Sequence, residues 1–205
     1  MIYRTVQLDP PWLERGGGKS KRGADKHYPL LPVTEILEVV ARSPMNMATD
    51  AHMWMWVTDN FLKDGLWLME NLGFRYVRTF QWVKVKGHPA ALDFETGLAV
   101  VPHDEEGLSI RYGIGQYARG AHEMMLFGVT GRGQDPSVCT ERRDIPSVFF
   151  APVPTDKNNA RVHSRKPEAA YELIEARSRG PYLELFARRG RPGWEGWGNE
   201  APEAA

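Results

Sequence analysis

The sequence predicts an α/β fold: a mostly parallel sheet flanked by helices. Two observations carry the prediction. β-rich runs alternate along the chain with segments whose apolar residues recur at helical spacing. Between them lie clusters of Gly, Pro and Asp, which interrupt both kinds of element. Composition agrees, since 205 residues with 42% hydrophobic and 25% charged side chains can bury a core without crosslinks.

Taken in order, residues 3–8 (YRTVQL) read as a short strand that runs straight into Asp9-Pro10-Pro11-Trp12, where two consecutive prolines end it. Residues 13–29 follow with Gly16-Gly17-Gly18 and several charges, and predict a mobile loop. Residues 33–42 place Val33, Ile36, Leu37, Val40 and Ala41 on one helical stripe, with Thr34 as the cap and Glu38 close behind it. Residues 51–58 (AHMWMWVT) read as a buried strand, and 61–72 as a helix ended by Gly73. Residues 74–85 alternate and are β-rich. The stretch 86–122 lacks clear periodicity and is rich in Gly, His and acids, so it is expected to be a loop or insertion used in substrate binding. Strands are expected at 123–129, 146–150 and 182–187, and a helix over 166–179, opened by Ser164 and closed by Gly180. The tail from Gly190 is expected to be loop, frayed at its last six residues, and the whole of 1–205 to form one domain.

Several function classes drop out on composition. The single cysteine, Cys139, excludes an intramolecular disulfide and any thiolate-cluster metal site. The six histidines, at 27, 52, 88, 103, 122 and 163, form no His-x-x-x-His pair, and no metal site is expected. No apolar run approaches the roughly 18 residues needed to span a bilayer, and the first residues lack a secretory pattern, so a cytoplasmic protein without a membrane partner is expected. Lys plus Arg and Asp plus Glu both total 26, which argues against a protein that coats nucleic acid by charge alone. The charge is nevertheless segregated. Residues 13–28 carry five basic and two acidic side chains, 161–191 carry eight and four, and 92–110 carry five acidic and no basic ones. The seven tryptophans are read first as core, although aromatic faces also stack bases.

The chemistry concentrates at Asp9-Pro10-Pro11-Trp12. In an open α/β sheet, ligands bind outside the carboxyl ends of the strands, where this tetrapeptide falls. Asp9 offers a carboxylate acceptor. Pro10 has no N–H, and its carbonyl is expected to point freely into the site. Pro11 stiffens the turn, and Trp12 supplies a wide aromatic face. Two acceptors and a ring suit a planar amine. Pulling its N–H bonds out of plane localises a lone pair otherwise delocalised into the aromatic ring, and a methyl donor held in line then becomes attackable.

An ordered series of further motifs resembles the MT-A70 family of adenine N6-methyltransferases. Asp9-Pro10-Pro11-Trp12 is similar to the family's catalytic motif. His27-Tyr28-Pro29, Trp54-Met55-Trp56-Val57-Thr58, and Gly73-Phe74 through Trp82-Val83-Lys84 resemble the segments that follow it. Gly113-Ile114-Gly115-Gln116-Tyr117-Ala118-Arg119, His122-Glu123 and Leu126-Phe127-Gly128 resemble the central signature. His163-Ser164-Arg165-Lys166-Pro167, Glu184-Leu185-Phe186-Ala187-Arg188, Gly193-Trp194 and Trp197-Gly198-Asn199-Glu200 close the series. The resemblance implies a Rossmann-like methyltransferase fold with permuted motif order, catalytic motif first and cofactor motifs last, using S-adenosyl-L-methionine.

The resemblance also implies roles. Asp9 would contact both the target amine and the donor's amino group, Pro10 would supply its carbonyl, Pro11 would hold the turn, and Trp12 would stack on or wall off the base. Tyr28 would lie near the target pocket. Lys166 would meet the donor's carboxylate, Glu184 and Arg188 its ribose, and Asn199 and Glu200 its adenosyl group. Arg119 and His122 would order the target strand, and Lys19, Lys21 and Arg22 in the basic loop would contact phosphates flanking the base. Such a pocket needs a flipped or single-stranded base. The family's acidic residue upstream of the catalytic motif has no counterpart, since residues 1–8 contain none. The family methylates both DNA and RNA. A small member resembles the bacterial and phage branch, which implies DNA. RNA adenine N6-methylation and a non-catalytic nucleic-acid-binding subunit are the alternatives, but such subunits lose the tetrapeptide, which is intact here. The acidic stretch 92–110 faces away from nucleic acid in this reading, or pairs with a partner subunit or a second copy in a homodimer.

Overall fold

The strand that ends at the tetrapeptide, β1 (Tyr3–Leu8), is buried along nearly its whole length: only Arg4 among its six residues is not fully covered. Burial of both faces is the mark of a central strand in a parallel sheet. The computed structural model describes residues 1–13, 30–86, 110–113, 117–156, 158, 162, 165–199 and 201, and the backbone of 92–93, 98–99, 103–104 and 107–108. Within these, β1 pairs in parallel with β2 (Met47–Val57) on one side and β10 (Tyr182–Leu185) on the other. The remaining long strands are β3 (Arg75–Val85), β8 (His122–Val129), β9 (Val148–Pro152) and β11 (Trp194–Trp197). Together they make a seven-stranded sheet in the order β11-β10-β1-β2-β8-β3-β9. The pairs β10–β11 and β3–β9 are also parallel. This mixed α/β architecture, a mostly parallel sheet flanked by helices, is the Rossmann-like methyltransferase arrangement that the sequence predicts.

Three helices accompany the strands. In α1 (Val33–Ala41), Ile36 and Val40 are the buried residues of the expected stripe. The cap differs from expectation: Thr34 lies inside the helix, and Pro32 is the N-cap, with no side-chain capping bond. Proline starts the helix because its φ is already set, here at −59°, and its carbonyl accepts the Ile36 N–H at 3.0 Å. A single 3₁₀ turn, Asp59–Phe61, precedes α2 (Leu62–Asn71). Gly73, at φ +82°, ends α2 as expected, and its N–H returns to the Glu70 carbonyl at 2.9 Å. The third helix, α3 (Glu168–Arg177), starts and stops two residues inside the expected span. Gly180 does not close it but precedes a cis Pro181, and Ser164 lies outside the described residues.

Two other expectations are corrected, the all-loop tail and the strand start at 146. The tail is not all loop, because Trp194–Trp197 forms β11, held by the Trp194 ring stacked on Tyr182 at 4.6 Å and 16°. The stretch 86–122 contains two short antiparallel hairpins, β4 (Leu92–Asp93) with β5 (Leu98–Ala99), and β6 (His103–Asp104) with β7 (Gly107–Leu108). The strand expected at 146–150 begins two residues later, past Pro146, which has no N–H for a ladder. Among the described residues no helix is long and apolar enough to cross a membrane.

The chain forms two compact units, one from residues 1–78, 126–140 and 178–205, the other from 79–125 and 141–177. The first has a core of Val6, Leu8, Met53, Trp54, Met55, Trp56, Leu68, Met69, Leu183 and Leu185, each 1% exposed or less. A buried polar knot keeps β2 against the entry to β10. The His52 Nε2–H donates to the Gly133 carbonyl at 2.9 Å, so Nδ1 is the acceptor for the Ser178 hydroxyl at 2.7 Å. Trp54 Nε1–H donates to the same hydroxyl oxygen at 3.0 Å. Gly133 is required there, because its φ is +64° and a Cβ would lie 2.5 Å from Val129 Cβ.

Candidate active site

The strand order reverses at β1. From β1 the chain passes through α1 to β2 on one side, whereas β10, on the other side, leads to β11 further out. Register places Leu8 opposite both Met55 and Leu185, so the tetrapeptide leaves the sheet at this switch point, where loops diverge and open a crevice.

The tetrapeptide is tightly braced. Pro11 has no N–H, so the first donor after Pro10 is Trp12, whose N–H bonds the Pro10 carbonyl at 2.9 Å and closes a three-residue turn about Pro11. The fixed φ of proline suits that turn. This corrects the expectation that the Pro10 carbonyl is free: one lone pair is engaged and the other remains. The Pro11 carbonyl accepts the Leu31 N–H at 2.8 Å, so the chain returns beside the motif. Trp12 is only 6% exposed. Its Nε1–H donates to the Trp56 carbonyl at 3.0 Å, and its ring stacks on Phe61 at 5.7 Å and 16°. A ring so covered serves as a wall and brace rather than as an open stacking platform.

Beside the switch point the same unit holds Glu184, and Arg188 and Asn199 lie on the segments that leave β10 and β11. Glu184 is one residue from the end of β10, 7% exposed, opposite Gln7 of β1, whose Nε2–H reaches its carboxylate at 3.4 Å. The Gln7 Oε1 atom, fully buried, has no hydrogen-bond partner among the described residues. Phe186 turns the chain at φ +62°, which few residues without a glycine's freedom adopt. Gly198 lets the β11 exit approach that turn: a Cβ there would sit 2.9 Å from the Phe186 Cα, and the Ala187 N–H donates to the Trp197 carbonyl at 3.1 Å. Asn199 follows, exposed, and Arg188 is half-buried.

The second unit holds Lys166, Arg119 and His122. Lys166 precedes α3 rather than opening it, and its Nζ donates to Glu123 Oε2 at 3.1 Å. Lys84 meets the other oxygen of Glu123 at 2.6 Å. Burial alone would push the Glu123 carboxyl up, but the ammonium groups of Lys166 and Lys84, by charge and by hydrogen bonds, hold it down to about 2. The Arg119 Nε–H donates to the Gly113 carbonyl at 3.2 Å, and its guanidinium lies 6.0 Å from the Tyr112 ring. His122 opens β8. Tyr28, Lys19, Lys21, Arg22 and Glu200 lie outside the described residues. Sequence reasoning missed Lys84 as a neighbour of Glu123, and Phe61 and Gln7 altogether. The separations involved are long, and only the Trp82-Val83-Lys84 motif carried a signal.

The Glu123 ion pairs set an acid limit on stability. A carboxyl depressed in the folded state contributes stability above its ordinary value of 4.5, and that contribution is lost as pH falls through about 2. Urea denaturation followed between pH 7 and pH 2 should show a loss of about 3 kcal/mol below pH 4.5, an order-of-magnitude figure. Glu123→Gln should already have lost it at pH 7 and show a flatter profile. An unchanged profile in the variant would remove the pair from the stability account.

A seven-stranded α/β sheet with an acceptor-bearing tetrapeptide at its switch point is the arrangement of the Rossmann-like class, in which ligands bind at that position. Residues 3–200 match the MT-A70 family, and the chain belongs to it. It is 27% identical over 208 residues to the human N(6)-adenine-specific methyltransferase METTL4, covering 97% of this chain and 37% of that protein. It is 25% identical to the Mycoplasma type II methyltransferase M.MunI, over 98% of this chain and 78% of that one. It is 24% identical to the N6-methyladenosine RNA methyltransferase MTA1 of Pyricularia oryzae, over 97% of this chain and 46% of that protein. The chain thus spans less than half the length of the human and fungal relatives.

Proposed function

We propose that this chain is an S-adenosylmethionine-dependent methyltransferase that acts on the exocyclic N6 amine of adenine in DNA, with residues 1–205 working as one cytoplasmic methyltransferase domain. The observation that carries this is Asp9-Pro10-Pro11-Trp12 held rigidly at the switch point. The residues around it fit the methyl donor on their own chemistry: a buried carboxylate, Glu184, suits ribose hydroxyls, and Gln7 Oε1 is a buried acceptor with no donor among the described residues.

In this reading Glu184 and Arg188 hold the ribose, Asn199 and Glu200 the adenosyl group, and Lys166 the carboxylate. The bound donor supplies an electrophilic methyl group on its sulfonium. Asp9 and the second lone pair of the Pro10 carbonyl accept the two N–H bonds of the adenine amine and draw its nitrogen lone pair out of the ring system. Because the Pro10 carbonyl is already fixed by the Trp12 N–H, it is pre-aimed and needs no reorganisation. Tyr28 and Trp12 wall the target base, and Arg119, His122, Lys19, Lys21 and Arg22 hold the strand.

The DNA arm is supported by the likeness to a type II methyltransferase, matched over 78% of its length. The RNA reading is favoured by the likeness to a fungal RNA methyltransferase and stands second. Donor carrying a labelled methyl group, offered with single-stranded DNA, duplex DNA and RNA in parallel, tests both. Labelled N6-methyladenine from DNA is the expected outcome. Label only in RNA would overturn the DNA arm, and no label with donor binding intact would make the chain a non-catalytic subunit. Charge reversal at Lys19, Lys21 and Arg22 should weaken DNA binding and flatten its salt dependence, measured by anisotropy across a salt series. Unchanged slopes would take that loop out of the site.

A further inference from the structure

A cleft of about 470 Å³, lined by Leu13, Pro32, Val33, Asn60, Phe61 and Asp64, lies beside the tetrapeptide. Because β1 and β2 are parallel neighbours, the segments that leave their carboxyl ends share one edge of the sheet. Leu13 immediately follows Trp12. Asn60 and Phe61 come from the 3₁₀ turn after β2, Asp64 from the first turn of α2, and Pro32 and Val33 from the start of α1.

We propose that this cleft is a second base subsite, for the nucleotide next to the target adenine, and that Asn60 and Asp64 read the edge of that base. The proposal rests on the methyltransferase reading for its orientation, but the chemistry of the cleft is its own. Four of the six lining side chains are apolar, and the volume suits a small planar ligand. Phe61 lines the cleft with its ring held parallel to that of Trp12, so the wall that touches the ligand is also a wall of the catalytic motif. A nucleobase has this complementary form, with apolar faces and a polar edge.

The two polar groups stand four residues apart on one side of the turn and helix, and among the described residues neither side chain is committed to a hydrogen bond. Asp64 offers only acceptors when ionised. It selects a base that presents an exocyclic amine, namely adenine, cytosine or guanine. It repels the carbonyl oxygens of thymine or uracil. Asn60 supplies one donor and one acceptor and reads the atom beside that amine.

The test uses single-stranded oligonucleotides identical except for the base on each side of one adenine, with Kd from anisotropy and methylation measured on the same set. Thymine at one flanking position should weaken binding about 10-fold relative to the best amine-bearing base. Asp64→Asn should erase that preference, and Asn60→Ala, at an exposed position that leaves the fold intact, should reduce it. Equal binding of all four bases at both positions, or a preference that survives Asp64→Asn, would overturn the proposal. A wild-type chain that methylates without a flanking preference refutes this subsite and leaves the catalytic reading standing. A preference without methylation does the reverse.

Discussion

Asp9→Ala is expected to abolish methyl transfer while leaving the protein folded. Asp9 is the carboxylate of the tetrapeptide, and it sits one residue beyond the end of β1, half-buried. Its loss removes the acceptor proposed to face the reacting amine, and a single directed hydrogen-bonding group of this kind is worth about 10²–10³ in turnover. Because the same carboxylate is proposed to touch the donor's amino group, kcat/KM should fall by at least about 10³-fold, with donor affinity weakened as well. The strand should survive, since Tyr3, Val6 and Leu8, each 1% exposed or less, anchor it, and Asp9 lies beyond its end. Labelled-methyl turnover with a thermal melt separates the two effects. A fully active Asp9→Ala enzyme would sink the mechanism.

Trp12→Ala should have the largest effect on stability of any change in the motif. The side chain is 6% exposed, stacks on Phe61 and donates to the Trp56 carbonyl. Removing a buried indole costs about 3–5 kcal/mol, and the Trp56 carbonyl loses its donor. Trp12→Phe keeps most of the packing and should cost about 1 kcal/mol for the lost hydrogen bond. In Trp12→Phe, turnover should fall further than donor binding, because the ring is proposed to wall the base rather than the donor. Calorimetry with the donor and its demethylated product, set beside kcat, tests that split, and an equal loss in both would make Trp12 a scaffold residue alone.

The elements legible in the sequence are those whose burial leaves a periodic or continuous apolar trace. β1, the buried part of β2 and the end of α2 at Gly73 lie where they are expected. β11 was hidden because Trp-Glu-Gly-Trp is four residues long and carries a glycine, and its pairing depends on β10, not on its own propensity. The hairpins of 92–108 are two residues per strand, below any periodic signal. The far limit of α3 is set in the sequence by Gly180, whereas the helix ends at Arg177 because Ser178 is taken up by His52 and Trp54.

At the site, the tetrapeptide was legible because its residue types are unusual together. What they do to one another was not. That Trp12 engages the Pro10 carbonyl follows from backbone geometry, which residue identity does not encode. That Glu123 lies between Lys84 and Lys166 depends on pairings 39 and 43 residues apart, and spacing alone has no access to those.

The parallel pairing of β1 with β10 joins residues 177 positions apart in the chain. During synthesis at about 5–20 residues per second, the tetrapeptide therefore waits many seconds for the strand that completes its crevice. Until then one edge of β1 is unpaired, and the tetrapeptide has no β10 wall beside it. Assembly of the crevice is coupled to the synthesis of residues 182–185, which gives the fold a high contact order and slow maturation. A chain that lacks β10 would carry the tetrapeptide without Glu184, the residue proposed to hold the ribose of the methyl donor.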